Sequence, residues 1–402
     1  MASALNGIKV LDLSASQMPG RWTSGMLGDF GAEVIIIERI PYGGLETGPS
    51  GYQKMKNEKD LKVFYAYNSF DRNKKSIGLN LKEQESKEIL YKLIKVADVV
   101  IEGYRPGVAK RLGVDYESLE RINDKIVYCS ISSYGQDGPY QDYPGHDLNY
   151  MALAGALDIT GEKKRDPVMP GVQLGDWVGG GFMAVVGILL GLMARNTTGR
   201  GQYVDISMTE GVLACMAMFV EEYFRTGKIP TRGERINTGG SHYNNIYKTK
   251  DNKYITIAAW EPRAYESLCR LLNCEDLIGD QHPGTEERQK KAFDAFRKVF
   301  LTRTRQEWFN YLKENNVSVA PLYPLDEVFA DPQMIHRKMM IEELHPAEGM
   351  VKQIGIPIKL SDTPGGFKSF APLPCENTTE MLIELGYTTY QIESLKEKGV
   401  VA

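Results

Sequence analysis

Along the first third of the chain, short runs of Val, Ile and Leu alternate with segments whose apolar residues return at helical spacing. "IKVLDLS", "AEVIIIER", "DVVIEGY" and "KIVYCSISSYG" are near-continuous apolar runs rich in β-branched residues, and "GRWTSGMLGDFG" and "SKEILYKLIKVA" lie between them with a helical period. Strands that are apolar throughout, rather than at alternate positions, belong to sheets covered on both faces. The pattern therefore predicts a doubly wound α/β unit with a parallel sheet. The turn after the first run, "SASQMPGRWTSG", lacks the GxGxxG spacing that seats a dinucleotide pyrophosphate, so neither NAD nor FAD is expected.

From Gly145 the texture turns helical, through "HDLNYMALAGAL", the glycine-bearing run "WVGGGFMAVVGILLGLMA" and "SMTEGVLACMAMFVEEYFRTG". The polar stretch "KIPTRGERINTGGSHYNN" reads as a linker. After it, "IYKTKDNKYITIAAW" alternates about Asp251 and Asn252 as a β-hairpin does, and helical segments follow around "AYESLCRLLN", "EERQKKAFDAFRKVFLT" and "RQEWFNYLKEN". At 402 residues the chain exceeds one core. The expected layout is a large domain over 1–225, a small α+β domain over 226–328, and a return to the large domain over 329–402. The closing stretch predicts two short helices, the first capped by Asn377 or Thr378.

Charge narrows the partners. A net charge of −4, from 48 basic and 52 acidic residues, offers no basic excess for a phosphate backbone, and nucleic acid is not an expected partner. Cys129, Cys215, Cys269, Cys274 and Cys375 are scattered without a CxxC pair, which predicts neither a zinc site nor a disulfide framework and suits a cytoplasmic setting. The five histidines show no metal-ligand spacing, so no metal is expected. The first residues carry no secretory pattern. The run from Trp177 to Ala194 approaches a membrane span in length, but its five glycines and the preceding Asp176 predict a buried helix instead.

Several residues invite chemistry. Arg39 and Arg105 follow the carboxyl ends of predicted strands, where ligands bind in such sheets, and guanidinium groups there suit a phosphate-bearing ligand; Arg72 and Lys75 in "FDRNKKSIG" extend the basic set. Asp176 precedes an apolar helix and reads either as an N-cap or as a nucleophile or base, with backbone N–H groups at Gly179 and Gly180 available to hold an oxyanion. His146 and Asp147 open another helix; the histidine is suited to moving a proton and the aspartate to capping. Glu261, before Pro262, reads as a helix-start charge or as a carboxylate that orients a histidine.

Colinear blocks then carry a resemblance: "LGDFGAEVIIIER", "RNKKSIGLNL", "ADVVIEGYRPGVAKRLGVDYE", "SYGQDGPY", "GHDLNYMALAGAL", "GDWVGGGFMAVVGILL" and "GRGQYVDISMTEG". Together they resemble the class III CoA-transferase family, which contains both CoA-transferases and racemases of α-methylacyl-CoA. The resemblance implies a Rossmann-like large domain, a small domain, an interlocked homodimer, and an acyl-CoA thioester as ligand, with no cofactor beyond the CoA that the substrate carries. It implies Arg39, Arg72, Lys75 and Arg105 as CoA contacts and Asp176 as the reactive carboxylate. His146 and Glu261 resemble the racemase's second base and its supporting acid, which favours the racemase branch. Gln17 and the "GVQLGD" lead-in to Asp176 look transferase-like, and Val172 stands where the racemase has asparagine.

Overall fold

The computed structural model describes residues 3–14, 17–40 and 58–402. The continuous apolar runs form one sheet: β1 (Lys9–Asp12), β2 (Glu33–Arg39), β3 (Lys74–Leu79), β4 (Val99–Glu102), β5 (Val127–Ser132) and β6 (Gln202–Ser207). The strand order is β3-β2-β1-β4-β5-β6 and every neighbouring pair is parallel. This order reverses between β1 and β4, so a crevice opens at their carboxyl ends.

Helices cover both faces. On one face α1 (Met18–Asp29) contributes Leu27, which packs with Val10, Val34, Val99 and Ile101. Past α2 (Glu58–Tyr67), the other face takes α3 (Gln84–Ile94), whose Ile89, Leu90, Leu93 and Ile94 pack on Leu11, Ile35, Ile77 and Val100. Consecutive residues of one strand thus feed opposite cores, which is why the strands read as unbroken apolar runs. Short helices α4 (Val108–Leu112) and α5 (Tyr116–Glu120) link β4 to β5. Between β5 and β6 come α6 (Asp147–Leu153), an eight-residue π-helix (Gly175–Phe182) and α7 (Met183–Thr198), and α8 (Met208–Cys215) follows β6.

The stretch Gly175–Thr198 is long and apolar enough to cross a membrane by length and composition. The expectation of a buried helix holds for one side only. A Cβ at Gly191 would lie 2.7 Å from the Val127 side chain, so glycine lets α7 press onto the sheet, whereas Val186, Leu190 and Met193 on its other side are exposed.

A second compact unit comprises Gly155–Gly171 and Met216–Asp331; the first comprises Met1–Ala154, Val172–Cys215 and Pro332–Ala402. In the second, α9 (Ala217–Thr226) precedes the antiparallel strands β7 (Asn244–Lys248), β8 (Tyr254–Ala258) and, later, β9 (Val319–Pro321). Helices α10 (Pro262–Leu271), α11 (Glu286–Phe300) and α12 (Arg305–Glu314) supply Leu268, Phe296 and Trp308 to its core, and α13 (Leu325–Val328) follows. These boundaries differ from the expected 226–328. The Arg232 guanidinium donates to the carbonyl of Asp158 at 2.8 Å and pairs with its carboxylate, and Arg235 pairs with Glu222, which ties both 155–171 and α9 to this unit. The supposed linker is packed rather than free, with Ser241 and His242 buried and His242 Nε2 2.8 Å from the Tyr265 hydroxyl.

The C-terminal segment rejoins the first unit through α14 (Pro332–His336), the hairpin β10 (Met340–His345) with β11 (Gly349–Ile354), and helices α15 (Thr378–Glu384) and α16 (Thr389–Glu397). Asn377 occupies the cap position of α15, but its side-chain oxygen accepts from the Ser76 N–H instead.

Candidate active site

A cavity of about 990 Å³ lies within the first unit, at the carboxyl ends of β1 to β5. Ser14 and Gln17 reach it from the β1–α1 turn, Arg39 from the end of β2, Lys82 from beyond β3, Gly103–Pro106 from beyond β4, and Ser132 and Ser133 from the end of β5. His146, Tyr150 and Asp176 complete one end.

His146, not Asp147, takes the cap position of α6: it is extended at φ −133° and ψ 171°, and its N–H donates to the Asn149 side-chain oxygen at 3.0 Å. The expectation of an Asp147 cap on its own helix is thereby corrected. Asp147 is the first helical residue, and its carboxylate instead accepts the N–H of Asp176 at 3.0 Å. Nor does Asp176 cap a helix. It sits second in the π-helix, behind Leu174 at the cap, so its carboxylate is free of that duty. Burial pushes the Asp176 carboxyl up from 3.8 to about 6, the Asp147 charge adds to the rise, and His146 opposes it. A carboxyl balanced near neutrality beside a histidine has the electrostatics of a proton-transfer site. The wide winding of a π-helix also recurs at functional sites.

Tyr150 fixes the spacing of this end. Its ring lies against both Gly145 and Gly175, the residues that precede His146 and Asp176, where an added Cβ would come within 2.7 Å and 3.1 Å of it. Its hydroxyl donates to the Gly145 carbonyl at 2.5 Å and lies 3.1 Å from the Ser133 hydroxyl. Burial pushes the phenol up to about 12, so it stays protonated at neutral pH.

The glycines expected to supply oxyanion donors do other work. A Cβ at Gly179 would fall 2.3 Å from the Met208 carbonyl, and one at Gly211 would fall 2.5 Å from the Gly179 Cα, so these glycines let the π-helix and α8 touch back to back. Gly180 packs against Met208 and Pro19, and neither Gly179 nor Gly180 lines the cavity. Polar groups that do line it include Gln17, Ser132, Ser133 and Tyr150. The Gln17 amide nitrogen donates to the Ile131 carbonyl at 3.3 Å, while its Oε1 is buried with no hydrogen-bond partner among the described residues. That oxygen presses on Gly103, where a Cβ would lie only 1.5 Å away; the requirement for glycine there was not evident from the sequence.

At the cationic end, Arg39 and Arg105 line the cavity and are exposed. Arg72 and Lys75 do not. Arg72 is buried, with Nε and an η nitrogen donating to the Asp29 carboxylate at 2.8 and 2.6 Å and the other η nitrogen to the Ile354 carbonyl at 2.7 Å, so its fork is filled by the fold. Lys75 pairs with Glu380 at 3.2 Å and Glu384 at 3.8 Å, and its neighbour Lys74 is buried on the opposite side of β3. Lys82 is the lining cation that sequence reasoning missed; its only signal was a lysine just past the end of a strand. Glu261 belongs to the second unit, is exposed, and immediately precedes α10 with Pro262 in the first turn. No group of three or more metal-ligating side chains occurs among the described residues.

Beneath the β1–α1 turn lies a buried ionic network. Lys74 Nζ donates to Asp71 at 2.8 Å, to the Ser24 hydroxyl at 2.7 Å and to the Arg21 carbonyl at 2.7 Å, and stands 3.7 Å from Asp12. Asp12 in turn accepts from the Ser14 hydroxyl at 2.5 Å, and Arg21 pairs with Glu38 at 2.7 Å. The network holds the turn that presents Ser14 and Gln17.

Comparison with known proteins agrees with this architecture. A human succinyl-CoA:glutarate CoA-transferase is 31% identical over 99% of this chain and 90% of its own length, and a human alpha-methylacyl-CoA racemase is 31% identical over 99% and 97%. The crystal structure of a CAIB/BAIF family protein from Brucella suis superposes with a TM-score of 0.80 at 28% identity, covering 96% of this chain and 100% of that one. The family model described as CoA-transferase family III matches residues 5–378, and the chain belongs to that family.

Proposed function

We propose that the cavity binds an acyl-CoA thioester and that the enzyme racemises 2-methyl-branched acyl groups by moving the proton next to the thioester carbonyl. One observation carries this reading: His146 and Asp176 share one end of the cavity, close enough for the histidine to act on the carboxyl's titration. Arg39, Lys82 and Arg105 hold the phosphates at the other end. One of His146 and Asp176 removes the α-proton, and the other returns a proton to the opposite face, with roles exchanged for the opposite hand of substrate. Between the two steps the negative charge rests on the thioester oxygen as an enolate. The Ser133 hydroxyl, which can turn from Tyr150 toward the cavity, and the Gln17 amide nitrogen are donors at hand to stabilise it. Glu261 is proposed, from the family resemblance, as the acid that supports His146. The same resemblance suggests an interlocked homodimer, and the exposed apolar side of α7 gives a second copy something to cover.

A second reading rests on Gln17, whose buried Oε1, without a partner among the described residues, calls for a donor from the ligand. In that reading the Asp176 carboxylate attacks the thioester carbonyl, forming an acyl anhydride and expelling CoA thiolate. The thiolate then attacks the aspartyl carbonyl and releases the first acid, leaving an aspartyl-CoA thioester for a second acid to take. Incubation with a panel of acyl-CoA thioesters in deuterium oxide separates the two. Racemisation predicts α-deuteration without any acceptor acid, whereas transfer predicts an Asp176 adduct trapped by hydroxylamine and turnover only when an acceptor acid is added.

A further inference from the structure

We propose that Glu102 is a positioning residue for CoA: its carboxylate sets the loop Gly103–Pro106, which carries Arg105 into the cavity, and so governs how firmly the phosphate-bearing end is held. The inference rests on the reading of the ligand as a CoA thioester. Glu102 ends β4, is buried, and does not itself line the cavity, whereas the four residues after it all do. Its Oε2 accepts the N–H of Tyr104 at 2.6 Å, closing a tight turn at the point where strand gives way to loop. Gly103, the residue spanned by that turn, is the one pressed against the Gln17 amide. The carboxylate therefore sets the direction in which Arg105 leaves the sheet.

Among the described residues, no cation is one of the main groups acting on Glu102; the nearest named cation, Arg39, acts on Tyr104. Ser130 of β5 hydrogen-bonds the carboxylate and itself accepts from the Gln136 amide at 2.7 Å. Tyr128 and Cys129 of β5, Tyr203 and Asp205 of β6, and Tyr104 of its own loop complete the ring, all neutral or anionic. Burial, with a smaller push from Asp205, raises the carboxyl from 4.5 to about 7. The group is neutral below that point and ionised above it. A charge-assisted N–H···O⁻ bond is roughly twice as strong as a neutral one, so ionisation tightens the turn.

The test uses coenzyme A itself as probe, titrated calorimetrically into the full chain at about pH 6 and about pH 8 in the wild type, Glu102→Gln and Glu102→Ala. The CoA 3′-phosphate titrates near pH 6 in every variant, so the informative quantity is the change in affinity with pH relative to Glu102→Gln, which keeps an acceptor but cannot ionise. Glu102→Ala is expected to weaken CoA roughly tenfold at the higher pH, the loss typical of one hydrogen bond to a charged group. Wild type is expected to gain affinity with pH severalfold more than Glu102→Gln does. Equal affinity of wild type and Glu102→Ala at both pH values, or the same pH response in wild type and Glu102→Gln, would overturn the inference while leaving the functional reading intact. Wild-type protein that does not bind CoA would overturn both. Far-UV circular dichroism checks that each variant folds, and the near-isosteric glutamine keeps the test decisive if the alanine variant does not.

Discussion

Replacing Asp147 by Asn removes a charge beside Asp176 and leaves an oxygen able to accept its N–H. The wild-type contact is 3.0 Å, and the amide oxygen of asparagine can occupy the same place. The rise of the Asp176 carboxyl from 3.8 to about 6 has burial as its first cause and the Asp147 charge as its second. The charge is the smaller of the two raising causes, so its removal lowers the value while burial still holds it up, and lowers it less where solvent screens the half-buried pair. Asp176 works as a carboxylate whether it removes a proton or attacks a thioester, so activity falls as pH drops through about 6. In Asp147→Asn that acid limb should move to lower pH. The assay is the pH profile of kcat/KM in the direction that uses Asp176 as base, with Asp147→Ala alongside. Alanine also forfeits the N–H acceptor, a loss of about 1–3 kcal/mol at a buried donor, and should lower the plateau at least several-fold. An acid limb that stays put, or moves up, in Asp147→Asn would refute the assignment of Asp147 as the charge that tunes Asp176.

Other expectations follow from the same geometry. Lys74→Met removes the cation shared by Asp12 and Asp71, leaving Arg21 at 3.7 Å from Asp71 as partial compensation, and should cost about 3 kcal/mol in denaturant unfolding. Gly103→Ala places a methyl 1.5 Å from Gln17 Oε1, so the amide must leave its site; kcat should drop at least about tenfold, while the overpacking costs only about 1–3 kcal/mol of stability. Glu102→Gln should stabilise the fold at alkaline pH. A carboxyl raised from 4.5 to about 7 favours its neutral form in the fold, so its cost is absent below pH 4.5, grows as pH rises, and is complete above about 7, up to about 3 kcal/mol. Thermal melts of both proteins at about pH 5 and about pH 8 should therefore diverge far more at the higher pH.

The sheet was legible because β1, β2, β4 and β5 bury residues on both faces, and short unbroken runs rich in Val and Ile are what doubly covered strands require. Arg39 and Arg105 were legible for the same reason, since a strand's end fixes where the next side chain emerges. In "FDRNKKSIG" the reasoning failed. Lys74 and Lys75 point to opposite faces of β3, and the carboxylates that claim Arg72 and Lys75, Asp29 and Glu380, lie 43 and 305 residues away. No local pattern announces such partners. The Gly179–Gly181 run misled in another way, because a backbone that must approach a ligand and one that must approach a second helix both demand glycine. The bond from Asp176 to Asp147 spans 29 residues, and only the fold shows that the aspartate beside the histidine holds the other aspartate in place. The unit boundary shifted because Arg232 and Arg235 reach back to Asp158 and Glu222, contacts that composition does not encode.

The most direct test of the central claim is proton NMR of a 2-methylacyl-CoA in deuterium oxide, without an acceptor acid, for the wild type, His146→Ala and Asp176→Asn. Racemisation by two bases predicts that wild type exchanges the α-proton of both epimers, whereas each variant racemises neither epimer and leaves unexchanged the one whose proton faces the missing base. Persistence of the α-proton signal with wild type, together with turnover that appears only when a second carboxylic acid is added, would contradict racemisation and leave CoA transfer through Asp176 as the activity of this site.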